Sequence, residues 1–481
     1  MTLPAPRRSV YKHDALDRLF NPKSIAIYGI SPNPASFGAK TVANLAPWDG
    51  HLLLINPKYD TIGTRPCHPS IAALPEKPDC VIITLPMEAV DAAATECAAS
   101  GARSAIVFAS GYAEMSEPAR IAAQQRLSAI ARESGMRISG PNCMGYLNGP
   151  RHLLASFSAA EMKPDAFEHP GIGIASQSGA LGYGFAQAAH RGAQISHVLT
   201  TGNGCDVNIA DEIAWLAEER SCKTIVCIFE GLEDPEHLAQ AGDIAWKAGK
   251  PVIVHKLGTS TQGARAAISH TGSPAGSIED YRRICERAGM VMVEDMEGVM
   301  EAASFFAKAP RRPSALGVAV LSPSGGLGVA SADAAEKHGV PLPQPPEDVK
   351  KKLEALIPDF GSRRNPADVT AAVAGDLART TQCFDAMAGD ATYGALVFPQ
   401  VLYSNRTTDR DRMFSEIAER HGKPILLPMV GGWIGGPGYV EAERNPHTTP
   451  FLSVDRCFAT LAAWFRLEER RAAEEQSTQD K

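Results

Sequence analysis

The chain has 481 residues, and its 47 Lys and Arg against 54 Asp and Glu give a formal charge of −7. That length predicts two to four compact units, and the mild acidity excludes a nucleic-acid binder, which needs a concentrated basic face. No apolar run reaches the ~18 residues of a membrane span, and the N-terminus lacks the apolar core of a signal peptide. The 10 Cys are scattered, with no C-x-x-C and no zinc-like spacing, so free buried thiols in a cytoplasmic, metal-independent enzyme are expected.

Residues 1–20 are polar and read as a loosely attached arm. From Asn21, short apolar segments alternate with alanine-rich helical stretches such as Glu88 to Gly101. The segments are Ser24–Gly29, Leu52–Asn56, Cys80–Pro86 and Ser104–Ala109. Such alternation means βαβ units and a parallel sheet, here a doubly wound nucleotide-binding type of domain over 21–150. A second α/β run over 151–308 has strands at Gly171–Ala175, Ile195–Thr200, Thr224–Phe229 and Val252–His255. Residues 309–314 lie in a basic, proline-interrupted linker. A third α/β run over 315–468 follows, with strands at Leu316–Leu321, Ala395–Phe398 and Pro424–Leu427, and 469–481 reads as a charged, flexible tail.

The turn after the first strand, Gly29 to Gly38 with Ser31 in it, is rich in small residues and leads into a helix, so backbone N–H groups can approach a phosphate there. It is not G-x-G-x-x-G, and no glycine-lysine pair continues as a P-loop. The second strand ends in Asn56-Pro57-Lys58, where a NAD site would carry an acidic residue. A cation in that place favours a phosphorylated ribose, which NADP and coenzyme A both carry. Ala109-Ser110-Gly111-Tyr112 and Gly140-Pro141-Asn142 follow later strands, where ligands of open α/β sheets bind.

In the second run, Ser176-Gln177-Ser178-Gly179 directly follows a strand, with Ser178 placed to cap a helix whose positive end points into a cleft. Ser322-Pro323-Ser324-Gly325-Gly326 repeats the pattern after the first strand of the third run, so two helix ends are expected to hold one tetrahedral anion. His270, in Ser269-His270-Thr271-Gly272, has small polar neighbours that read as an exposed loop. Its imidazole is a candidate nucleophile able to carry a phosphoryl group. Glu230, ending a strand before Gly231, is the candidate carboxylate to orient that ring.

Taken in order, these motifs resemble the α subunit of NDP-forming (ADP-forming) acyl-CoA synthetases, relatives of succinyl-CoA synthetase. The resemblance spans about Asn21 to Ala462 and includes Asn365-Pro366-Ala367-Asp368. It implies a Rossmann-like CoA-binding domain followed by two flavodoxin-like domains of the succinyl-CoA synthetase type. Ser31, Lys58, Thr84 and Leu85 would contact coenzyme A. Gly140, Pro141 and Asn142 would form a loop on the substrate side. His270 would be the phosphorylated histidine and Glu230 its orienting glutamate. Ser178 with Gly179, and Gly325 with Gly326, would cradle the phosphoryl group.

The implied reaction joins a carboxylic acid, CoA and ATP to acyl-CoA, ADP and phosphate through a phosphohistidine and an acyl phosphate. ATP and Mg²⁺ belong to an ATP-grasp domain in that family. Three α/β domains use up this chain, so a separate ATP-grasp β subunit, a hetero-oligomer and a mobile His270 loop are expected. Pro274 after Ser273, and Pro323 where the family commonly has asparagine, depart from the pattern. Three other readings stand beside this one: an NADP-linked oxidoreductase, a non-catalytic or regulatory CoA-binding protein, and a CoA-dependent acyl transfer without ATP.

Overall fold

The computed structural model describes residues 8–160, 167, 169–271, 276–400, 405–434, 436 and 438–479. The chain divides into two compact units, Met1–His190 with Gln194–Val299, and Met300–Lys481 with Arg191–Ala193.

The first unit holds two sheets. In the first, β1 (Ser24–Tyr28), β2 (His51–Ile55), β3 (Thr61–Ile62), β4 (Arg65–His68), β5 (Cys80–Ile83), β6 (Ser104–Val107) and β7 (Arg137–Ser139) lie in the order β3-β4-β2-β1-β5-β6-β7. All pairs are parallel except the short β3–β4 hairpin. Leaving out β3, the strands follow the doubly wound order of nucleotide-binding domains. Alternate residues feed opposite cores, as a sheet covered on both faces requires. Ile25, Ile27 and Ile82 point to one core and Ala26, Val81 and Ile83 to the other.

Within the arm expected over 1–20, the described residues 8–20 are docked rather than loose. His13–Phe20 is a helix with Leu16, Leu19 and Phe20 buried. Burying three such side chains is worth on the order of 5 kcal/mol, ample to dock one short helix. Polar contacts add direction. The Arg8 guanidinium grips both carboxylate oxygens of Asp211 at 2.9 and 2.6 Å, and the His13 ring stacks on Trp215.

The second sheet contains β8 (Gly145–Asn148), β9 (Leu153–Ser156), β10 (Gly171–Ser176), β11 (Ile195–Thr200), β12 (Cys222–Phe229), β13 (Val252–Lys256) and β14 (Val291–Met292). Its order is β14-β13-β12-β10-β11-β8-β9. The five parallel strands β10 to β14 take the flavodoxin order. The hairpin β8–β9 extends the edge by antiparallel pairing to β11. The boundary read from the sequence at 150 therefore falls in the turn of a hairpin that belongs to the second sheet. One apolar core runs from Ile25 and Ile82 through Tyr146 to Trp215 and Phe229.

The second unit is built on β15 (Gly317–Ser322), β16 (Ala367–Asp368), β17 (Tyr393–Val397), β18 (Ile425–Pro428) and β19 (Thr448–Phe451) in the order β16-β15-β17-β18-β19. All are parallel, again in the flavodoxin order. The helix Val299–Lys308, assigned from sequence to the preceding domain, falls with this unit from Met300 on. Ser304 donates to the Glu443 carboxylate, and Phe305 meets Trp464 edge-on at 5.4 Å. Residues 309–314 lie between this helix and β15, inside the second unit rather than between units.

The flexible tail is a second correction. A single helix runs from Val454 to Gln479. Its last turns are strong helix formers, and Arg470 pairs with Glu474 at 2.9 Å and Arg471 with Glu468 at 2.8 Å. All 10 cysteines are free, and all but Cys205 are buried.

Candidate functional site

Three strand ends of the first sheet converge where a doubly wound fold binds its ligand. Gly29, at φ +91°, lets the chain leave β1 so closely that an added Cβ would stand 2.7 Å from Leu85 Cδ2. Gly38, in the helix Phe37–Asn44, approaches Ile30 and the Thr84 hydroxyl so that a Cβ would sit 3.2 Å from each. Asn56 joins the turns: its amide donates to the Ile30 carbonyl at 2.6 Å and its Oδ1 accepts from Lys58 N at 2.9 Å. Ser31, Thr84 and Leu85 are half-buried in this cluster, and Lys58 is exposed at its rim. The four candidate CoA contacts thus sit on adjacent turns.

Gly140, Pro141 and Asn142 bridge this sheet to the next. Asn142 N donates to Ala109 O at 2.8 Å, Asn203 N to Pro141 O at 2.9 Å and Cys205 N to Gly140 O at 2.9 Å. The Asn142 amide also donates to Asn203 Oδ1 at 3.3 Å. A Cβ on Gly140 would stand 2.5 Å from the Val107 carbonyl, at a φ of +99° that glycine tolerates.

In the second sheet the flavodoxin order puts its switch point between β10 and β12, and Ser178 and Glu230 follow these two strands. Ser178 caps the helix Gly179–Ala186, its hydroxyl accepting from Leu181 N at 3.3 Å. Gly179 is needed because a Cβ would overlap Met144 Cγ at 2.4 Å. Glu230 is buried, and two residues that sequence reasoning did not single out hold its backbone. Gln177 Oε1 accepts from Glu230 N at 2.6 Å and Gly231 N at 3.3 Å, while Gln177 Nε2 donates to Gly231 O at 2.6 Å. Lys256 Nζ donates to Glu230 O at 2.6 Å. Burial pulls the Lys256 ammonium down to about 8, against the opposing pull of the Glu230 charge. The available signal was a lysine closing a buried apolar strand, the same signal that marked Glu230.

A cleft of about 180 Å³ opens beside this turn, lined in part by Gln177, Thr201, Asn203, Gly231 and Leu232. His270 falls on the helix Thr261–Thr271 rather than in an open loop, and its side chain, with Pro274, lies outside the described residues.

In the second unit, Gly325 and Gly326 open the helix Gly325–His338 and are exposed. Their turn copies the other one: Ser322 Oγ donates to Ser324 O at 2.7 Å, as Ser176 Oγ does to Ser178 O at 2.7 Å. Unlike Ser178, Ser324 makes no side-chain cap. Asn365 is structural, its amide donating to Val318 O at 2.8 Å and Pro343 O at 2.9 Å and its oxygen accepting from Val320 N at 2.9 Å. Among the described residues no cluster of His, Cys, Asp and Glu could hold a metal ion, and no helix is long and apolar enough to cross a membrane.

Residues 23–149 match the CoA binding domain family and residues 169–306 the succinyl-CoA ligase like flavodoxin domain. The first match favours coenzyme A over NADP as the ligand of this domain. The α subunit of ADP-forming acetate–CoA ligase I from Pyrococcus furiosus is 30% identical over 461 residues, covering 89% of this chain and 95% of that protein. The chain belongs to the ADP-forming acyl-CoA synthetase family. ADP-forming acetate–CoA ligase I of Archaeoglobus fulgidus is 34% identical over 356 residues, 74% of this chain and 50% of that protein. The chain thus spans only 50–66% of the length of some curated synthetase relatives that it matches. Among solved structures, an acetyl-coenzyme A synthetase of Ca. Korarchaeum cryptofilum in complex with phosphate and ADP superposes with a TM-score of 0.83 at 26% identity, covering 96% of this chain and 98% of that one.

Proposed function

We propose that the chain carries the acyl and CoA half of an ADP-forming acid–CoA ligation. The observation that carries this reading is the clamped Glu230 beside the Ser178 helix end, at the switch point of a synthetase-family sheet. The ring of His270 attacks the terminal phosphorus of ATP, forming an N–P bond and releasing ADP. Glu230 orients the ring and meets its positive charge. An oxygen of the carboxylic acid then takes the phosphoryl group, freeing His270 and giving an acyl phosphate. The CoA sulfur attacks the acyl carbon, the thiol proton leaves, and phosphate departs.

Coenzyme A lies against Ser31, Lys58, Thr84 and Leu85, with Gly140, Pro141 and Asn142 on the acid side. Unpaired N–H groups at Ser178–Gly179, and separately at Gly325–Gly326, bind transferred charge in this reading. ATP and Mg²⁺ are assigned to an ATP-grasp domain, and no step on this chain is routed through the metal. That domain is carried by a β subunit in a hetero-oligomer or by the remainder of a longer chain. Relatives of both kinds support this: one is named a subunit alpha, another is about twice the matched length.

The reverse half-reaction needs no nucleotide and tests the reading on this chain alone. Acyl-CoA and radiolabelled phosphate give acyl phosphate and CoA, and the acyl phosphate then phosphorylates His270. With acetyl-, butyryl-, benzoyl- and feruloyl-CoA tried in turn, at least one gives acid-labile, base-stable label that is absent in His270→Ala. CoA binding with no label from any thioester would leave a non-catalytic CoA-binding protein instead.

A further inference from the structure

Lys256 closes β13 against the end of β12, where Phe229 is its register partner. It is only 4% exposed, and its Nζ stands over the rings of Phe229 and Tyr281, whose centroids are 5.6 and 5.4 Å away. A lysine is almost never buried this far without a carboxylate partner. Here Nζ donates to two backbone carbonyls, Glu230 O at 2.6 Å and Leu257 O, and among the described residues no carboxylate oxygen lies within ion-pair distance of it. Its hydrogen bonds are therefore taken by backbone dipoles, and the Glu230 carboxylate acts on its charge without a direct ion pair.

Such a cost in burial needs a purpose, and packing alone would be served better by methionine. A phosphoryl group carried next to Glu230 brings negative charge up to a carboxylate, and the two repel. A buried ammonium at the base of Glu230 offsets that repulsion without occupying the space the phosphoryl group needs. The same ammonium fixes the Glu230 carbonyl, so carboxylate and charge keep one geometry.

Resting on the relay reading above, we infer that Lys256 is a positioning residue of the phosphoryl site: it anchors Glu230 through its carbonyl and supplies the positive charge that lets a phosphorylated histidine sit beside that carboxylate. The side chain touches no reacting atom in this account. It acts through Glu230.

The test measures the rate of label transfer from acyl-CoA and radiolabelled phosphate in wild type, Lys256→Met and Lys256→Arg, with thermal melting and CoA binding measured on each. Lys256→Met, which keeps the length and apolar stem, should label about 10- to 100-fold more slowly, the loss expected for a charged hydrogen bond. Its half-saturating acyl-CoA concentration should stay unchanged, and Lys256→Arg should recover most of the rate. Wild-type labelling by Lys256→Met overturns the inference. So does a loss that comes with weakened acyl-CoA saturation, or one that Lys256→Arg fails to restore, since either marks a packing role. If wild type itself takes no label, the relay reading fails, and that result is separate from any result on Lys256.

Discussion

Gln177 and Glu230 are joined across two strand ends: one amide oxygen receives the Glu230 N–H at 2.6 Å, and the same side chain donates to Gly231 O at 2.6 Å. A single glutamine thus stitches the turn that caps the phosphate-side helix to the turn that carries the carboxylate. Backbone pairing extends to Gln177 N and Ile228 O at 3.0 Å, and the side chain carries the link on to Glu230 and Gly231.

Replacing that glutamine tests the stitch. Gln177→Leu removes the acceptor of the buried Glu230 and Gly231 N–H groups, so stability should fall by about 1–3 kcal/mol. The labelling rate should drop further than Tm alone accounts for, because Glu230 loses its aim. Equal labelling at a temperature where both proteins are folded would count against the stitch. Thermal melts and single-turnover labelling read the two effects separately.

A pH effect is expected at the N-terminal helix. His13 Nε2 meets Glu219 Oε1 at 2.6 Å, and this hydrogen bond raises the His13 pKa above 6.5 against burial. Burial pushes Glu219 up, but its bond to His13 and nearby positive charges bring it below 4.5. The His13 contribution is complete below the unfolded value of 6.5 and fades as pH rises through the folded value, while that of Glu219 is complete above 4.5 and fades as pH falls through its own folded value. Docking of His13–Phe20 should therefore be firmest between these limits. The protection factors of this helix, corrected for base-catalysed intrinsic exchange, should fall on the alkaline side, and His13→Gln should remove that dependence.

Gly179 predicts a rescue. In Gly179→Ala the new methyl stands 2.4 Å from Met144 Cγ, so either the helix start or Met144 must move. Overpacking of this kind costs about 1–3 kcal/mol. Adding Met144→Ala should return part of the lost Tm, whereas an additive double mutant would show that the clash is not with Met144.

At the CoA edge, Lys58→Glu should weaken CoA binding about 10-fold or more at low salt, and the effect should shrink as salt rises, because the lysine is exposed. Asn56→Ala should weaken binding with no such salt dependence, since Asn56 positions the turn without charge. Calorimetric titration over a salt series separates the two.

Most of the architecture was legible because buried parallel strands leave continuous apolar runs, and Ile195–Thr200 was read to the residue. The cap at Ser178 and the carboxylate at Glu230 were legible because strand ends and helix starts restrict residue types strongly. The helix His13–Phe20 carried its signal in the spacing of Leu16, Leu19 and Phe20, but its charged neighbours and lack of a visible docking face disguised it. The hairpin at 145–156 was hidden for another reason: pairing partners of an antiparallel edge lie far away in sequence, here at β11. Lys256 escaped notice because a lysine after an apolar run usually marks the surface, and only the packing shows it buried beside Phe229 and Tyr281.

Because β8 and β9 complete the sheet of the following domain, a chimera spliced at residue 150 would part β8 from β9 and put a foreign strand against β11. A graft that exchanges the CoA module between relatives should instead cut before Gly145, leaving the hairpin with the β11 strand that pairs to it. Even then the donor module must match Trp215 and Phe229 through the common core. Acceptance of a foreign module would report how far these two domains have adapted to each other.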